Sequence, residues 1–182
     1  MQFRLTGITT AALGSAALGG VALLPGAASA QTLDLSLTIP KINAAEYHKP
    51  YVAIWLEKTG VPTRTIAIWY DFDLNGSEGA GTKWLRDVRQ WWKASGRGIA
   101  FPADGITGAT RAPGTHKLNL TGGRGSMPQL LPGAFTLKIE AAREAGGREL
   151  ISIPFTWDGK KVVSASAKGT GELGAVSLTI KP

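Results

Sequence analysis

Two stretches, Tyr51-Val52-Ala53-Ile54-Trp55-Leu56-Glu57 and Thr65-Ile66-Ala67-Ile68-Trp69-Tyr70, decide the fold. Each is short and rich in β-branched and aromatic residues, and the turn Lys58-Thr59-Gly60-Val61-Pro62 separates them, so they read as a β-hairpin. Their shared Ala-Ile-Trp run predicts related positions for Trp55 and Trp69, both in a sandwich core. Upstream, Leu33, Leu35, Leu37 and Ile39 alternate with Asp34, Ser36, Thr38 and Pro40, the period of a strand with one buried face. Downstream, strands are predicted over His116 to Leu120, Ala134 to Ala142, Glu149 to Thr156, Lys161 to Ala167 and Ala175 to Ile180, with turns at Pro132-Gly133, Gly146-Gly147 and Asp158-Gly159. About eight short strands at this spacing predict a mostly β protein, an antiparallel sandwich.

One segment departs from the β rhythm. In Lys83 to Ser95, Trp84, Leu85, Val88, Trp91 and Trp92 fall on one helical stripe, with Arg86, Asp87, Arg89, Gln90 and Lys93 opposite. This predicts a single amphipathic helix with Thr82 as N-cap and Gly96 as its stop. The glycine-rich stretch from Leu74 to Gly81 precedes it. Leu131 to Glu140, L-P-G-A-F-T-L-K-I-E, resembles a strand signature of immunoglobulin-like modules in exported bacterial proteins, which implies an immunoglobulin-like sandwich.

Residues 1–30 read as a secretory signal peptide: Arg4 supplies the positive start, Ile8 to Leu24 is small and apolar, and Ala28-Ser29-Ala30 is a cleavage site before Gln31. The expected mature chain, 31–182, is the length of one domain and periplasmic. With no cysteine and two histidines in 182 residues, thiolate-ligated clusters and dithiol chemistry are excluded. The net charge of +7 is scattered along the chain. That suits an acidic partner or a membrane surface and argues against nucleic acid.

The run Asp104-Gly105-Ile106-Thr107-Gly108-Ala109-Thr110 reads D-x-x-T-G-A-T. It resembles the sequence that extracytoplasmic flavin transferases recognise when they esterify its last threonine with FMN. The resemblance implies covalent FMN on Thr110, with Asp104 read by the transferase, Thr107 bracing the turn, and Gly108 and Ala109 keeping the approach thin. Many such sequences carry a further Ser or Thr shortly afterwards; here Arg111-Ala112-Pro113 follows, and Arg111 is a candidate partner for the flavin phosphate. The blocks Tyr47 to Trp55, Lys83 to Trp92, Thr107 to Gly114 and Glu140 to Glu149 resemble those of a periplasmic family catalogued as a domain of unknown function. Its members tend to be encoded beside PepSY-type membrane reductases and flavin transferases. The resemblance implies an electron carrier with those two as partners and an acceptor such as ferric iron.

Trp92, at the edge of the tryptophan stripe, is the candidate flavin-stacking residue, while Trp84 and Trp91 are expected in the core. His48 and His116 are the weak candidates for a joint haem or metal site. Asp71, Asp73, Asn75 and Gly76 imitate half of a calcium loop, but Thr82 stands where a bidentate glutamate is required. No hydrolase motif is visible. The rival reading is an immunoglobulin-like binding module without flavin, docking a membrane protein or capturing haem or metal.

Overall fold

A computed structural model describes residues 30–71 and 81–182. The predicted signal peptide, the glycine-rich stretch before Gly81, and Asp73, Asn75 and Gly76 lie outside the described residues. The described chain forms a two-sheet sandwich. One sheet joins β1 (Thr32–Ile39), β5 (Gly114–Thr121), β8 (Val163–Lys168) and β9 (Ala175–Lys181) in the order β5-β1-β9-β8. The other joins β2 (Tyr51–Lys58), β3 (Val61–Tyr70), β4 (Thr107–Ala109), β6 (Gly133–Ala142) and β7 (Arg148–Trp157) in the order β4-β3-β2-β6-β7.

The inner faces follow directly from period-2 alternation. Leu33, Leu35, Leu37 and Ile39 of β1 meet Leu137 and Ile139 of β6, Ile151 and Ile153 of β7, and Val176, Leu178 and Ile180 of β9 in one aliphatic core. The unbroken apolar runs in β2 and β3 have a different cause. These strands are covered on both sides, as continuous hydrophobic strands require. Their second face packs under a smaller core of Ala53, Trp55, Ile68, Tyr70, Leu85, Val88 and Trp91.

That arrangement corrects the expectation for the two tryptophans. Trp69 lies in the core between the sheets, whereas Trp55 lies in the core outside the five-stranded sheet. The shared run aligns antiparallel, Ala53 opposite Ile68 and Ile54 opposite Ala67, and a bulge then sets Trp55 opposite Thr65. The two indoles therefore sit on opposite faces, because neighbouring side chains on a strand alternate.

The predicted helix is also divided. Thr82–Asp87 is a 3-10 helix and α1 spans only Arg89–Ala94, followed by a 3-10 turn at Gly96–Gly98. Fully buried Val88 sits between them with a non-helical backbone (φ −79°, ψ 71°). The N-cap is Gly81, not Thr82, and no side chain caps either segment from within the helix. The cap comes from the sheet: the Glu140 carboxylate of β6 accepts the backbone N–H of Gln90 and of Trp91, at 2.9 and 3.0 Å to Oε2. Trp91 Nε1 donates to Thr65 Oγ1 at 3.0 Å, and Thr65 is bonded in turn to Ser95. Gly96 lets both indoles close over it, since a β-carbon there would stand 2.7 Å from Trp92 Cε3.

Candidate functional site

The D-x-x-T-G-A-T run is not a plain loop. It turns through Asp104, Gly105 and Ile106 and becomes the short strand β4, which pairs parallel to β3 at the sheet's edge, with Trp69 opposite Gly108 and Tyr70 opposite Ala109. The antiparallel sandwich thus carries, among the described residues, one parallel pair at a sheet edge. A three-residue strand with no alternating stripe gives no periodic signal. Thr107 Oγ1 accepts the Ala103 N–H at 2.9 Å, closing the turn. Burial pushes the Tyr70 phenol above its usual pKa, partly offset by the Thr107 hydroxyl beside it. Gly108 has a packing reason: a β-carbon would lie 3.2 Å from Trp69 Cδ1. Asp104 and Ala109 are exposed.

Thr110 follows immediately, its N–H bonded to the Tyr70 carbonyl at 3.1 Å. It is half-buried and lines a cleft of about 790 Å3 at one end of the five-stranded sheet. That end gathers the start of β2, the ends of β3, β4 and β6, and the β6–β7 turn, so the register of the sheet places Tyr51, Asp71, Thr110 and Arg148 around one opening. Trp84 forms part of the wall, 40% exposed, with Lys83 Nζ 5.1 Å from its ring centroid. Burial pushes the Tyr51 phenol up to about 12, so it remains a neutral hydrogen-bonding group at physiological pH.

The cleft's cations divide into two sets. Arg143 is bound by Glu172 in a bidentate pair (Nε–Oε2 3.0 Å, Nη2–Oε1 3.1 Å), and Arg148 Nη1 reaches Glu140 Oε1 at 2.7 Å. These two hold the wall together. Lys49, Lys83 and Arg89 supply further positive charge, and Asp71, Asp87 and Glu144 line the same cleft.

The remaining sequence candidates fall elsewhere. Arg111 places its guanidinium 3.9 Å from the Trp69 ring centroid and is not part of the cleft lining, and burial lowers its pKa from the ordinary arginine value. Trp92 packs against Trp91, with ring centroids 6.1 Å apart, also outside the cleft lining. Trp84, expected in the core, is the exposed tryptophan of the stripe; a short 3-10 helix does not carry the α-helical stripe through. His48 sits at the cleft, 3.3 Å from Glu46 and 3.8 Å from Glu144. His116 bonds the Ala112 carbonyl at 2.8 Å and meets the Trp69 ring edge-on. The two histidines share no partner. Among the described residues no group of three or more His, Cys, Asp or Glu side chains is placed to hold a metal ion.

A family model described as a predicted periplasmic protein, DUF2271, matches residues 32–175, from the first residue of β1 to the first of β9. The chain belongs to the DUF2271 family. Neither the curated proteins nor the solved structures contain a match to it. As a DUF2271 member it is a predicted periplasmic protein, and among its described residues no helix is long and apolar enough to cross a membrane. In the cleft's wall, Tyr51, Arg143 and Arg148 carry no site role by sequence pattern, and Trp84 is the residue expected in the core. A signal is present for all four, because Tyr47 to Trp55, Lys83 to Trp92 and Glu140 to Glu149 are among the blocks that carry the family resemblance.

Proposed function

We propose that this periplasmic protein is a flavoprotein electron carrier, with FMN joined through a phosphoester to Thr110, that passes electrons between a PepSY-type membrane reductase and an acceptor such as ferric iron. The observation that carries the reading is the position of Thr110. The last residue of an attachment-like sequence leaves an edge strand at the rim of a cleft of about 790 Å3, within the size range of small-molecule sites. Attachment balances as a transfer: the Thr110 hydroxyl oxygen bonds to the flavin-side phosphorus of FAD, the pyrophosphate P–O bond breaks, AMP leaves with the electron pair, and the hydroxyl proton passes to a base of the transferase. Among the described residues β4 pairs on one side only, which offers the transferase a strand edge to read.

Once bound, the flavin supplies one- and two-electron redox chemistry. The residues of this chain supply the seat. Trp84 takes the stacking role expected of Trp92, because it shares the cleft with Thr110. Lys49, Lys83 and Arg89 offer charge to the phosphodiester, while Arg111 stays on Trp69.

The reading is tested by producing the exported protein together with a flavin transferase and measuring intact mass. The wild type should gain the mass of one FMN less water, and Thr110→Val should gain nothing while unfolding at the same denaturant concentration. An unmodified wild type, or a Val variant that still carries the adduct, overturns the assignment.

A further inference from the structure

The end of the sandwich opposite the cleft has its own character. It is formed by the β2–β3 turn, the chain entering β6 and the β7–β8 connection. Four large hydrophobic side chains are well exposed among the described residues, and three of them are here: Leu131 at 69%, Val162 at 60% and Val61 at 53%. The three loops are continuous. Lys58 Nζ donates to the Pro132 carbonyl at 3.3 Å, tying the β2–β3 turn to the segment holding Leu131, and Pro132 Cγ packs 3.6 Å from the β-carbon position of Gly159 in the loop that leads to Val162.

The charge around these tips is basic. Lys160, Lys161, Arg64 and Arg124 are exposed and Lys58 is half-buried at the same end. The local carboxylates are engaged: Asp158 accepts the backbone N–H groups of Lys160 and Lys161, Glu57 pairs with Lys138 at 2.8 Å, and Asp34 pairs with Lys181 at 3.1 Å. Apolar tips flanked by lysines fit a surface that is negative outside and hydrocarbon beneath, and an open cleft of about 660 Å3 lined by Lys58, Val61, Phe135 and Phe155 lies at the same end. We propose that this end docks the protein on a membrane surface containing anionic lipid, Leu131 and Val162 entering the headgroup boundary and Lys160 and Lys161 facing the lipid phosphates. The cleft lined by Thr110 then points away from the bilayer.

Vesicle co-sedimentation of the exported protein decides the matter. It uses phosphatidylcholine alone and an equal mixture with phosphatidylglycerol, at low and high salt, for the wild type, Lys160→Glu/Lys161→Glu and Leu131→Ser/Val162→Ser. All four positions are exposed, so folding is preserved, and circular dichroism checks this. Binding should require phosphatidylglycerol and fall with salt, and charge reversal should weaken it about tenfold or more. The serine variant should bind several-fold less tightly. Because all proteins share one N-terminus, the comparison isolates this end of the fold. Equal binding to neutral vesicles, no binding at all, or binding that neither pair of substitutions weakens overturns the proposal. Loss of self-association in the variants without any vesicle binding by the wild type would assign the patch to a second copy of the chain instead.

Discussion

The two faces of the five-stranded sheet are built on different principles, and neighbouring residues of β6 display both. Ile139, fully buried, points into the aliphatic core between the sheets. Glu140, equally buried, points the other way, where it accepts two backbone N–H groups of α1 and the Arg148 guanidinium. The inner face is held by many interchangeable aliphatic contacts. On the outer face, a short two-part helix buries Leu85, Val88 and Trp91 against the sheet and is oriented by a few polar anchors, namely Glu140 and the Trp91–Thr65–Ser95 chain. A helix of this length has little stability of its own, so that packing and those anchors together hold the cleft wall. The same end is further clasped across the sheets by Arg143 with Glu172 and by Glu149, which accepts the N–H groups of Thr170, Gly171 and Leu173.

The largest effect should come from the inner face. Ile139→Ala removes a fully buried side chain and should cost about 4 kcal/mol in denaturant unfolding, with the near-ultraviolet tryptophan signal of the folded state retained. Glu140→Ala should cost about 3 kcal/mol, because an accepting carboxylate is lost from buried donors. Its diagnostic is local: amide exchange in Arg89–Ala94 should accelerate well beyond that of β1 and β9. Equal protection losses in helix and sheets would show that the two faces unfold as one unit and break the contrast.

The smallest effect belongs to the clasp. Burial opposes ionisation of Glu149, but the hydrogen bonds from Thr170, Leu173 and Gly171 outweigh it and hold its pKa below the usual value of 4.5. Its contribution is therefore present above the usual glutamate pKa and lost as pH falls through the lowered folded value. Glu149→Gln should cost about 1 kcal/mol near neutral pH, and the gap from wild type should close as pH falls below the usual glutamate pKa of 4.5 and through the lowered folded value. Unfolding midpoints across that range check it. A gap independent of pH would mean that packing, not the carboxylate charge, closes this end.

Most strands of the inner face are legible from alternating apolar and polar residues, and β2 and β3 from β-branched and aromatic runs on either side of a turn, so eight strands are placed with only their ends displaced. The outer face is not legible in this way. Trp55 and Trp69 look equivalent in sequence, but the antiparallel register sets Trp69 opposite Val52, and the alternation of the strand then puts Trp55 on the other side. The tryptophan stripe read as one helix, but Val88 breaks it, so Trp84 is exposed while Trp91 is buried. β4 was missed because a short parallel edge strand is defined by its partner, not by its own pattern.

By itself, the amino-acid sequence determined the sandwich, its aliphatic core and the attachment-like run ending at Thr110, because periodicity and a contiguous run of residues are local properties. Tertiary structure alone decided that Thr110 meets Tyr51, Trp84 and the β6–β7 turn around one cleft, and that Val61, Leu131 and Val162 share the far end. Those neighbours are far apart along the chain, and it is the pairing order and register of the strands that bring them together.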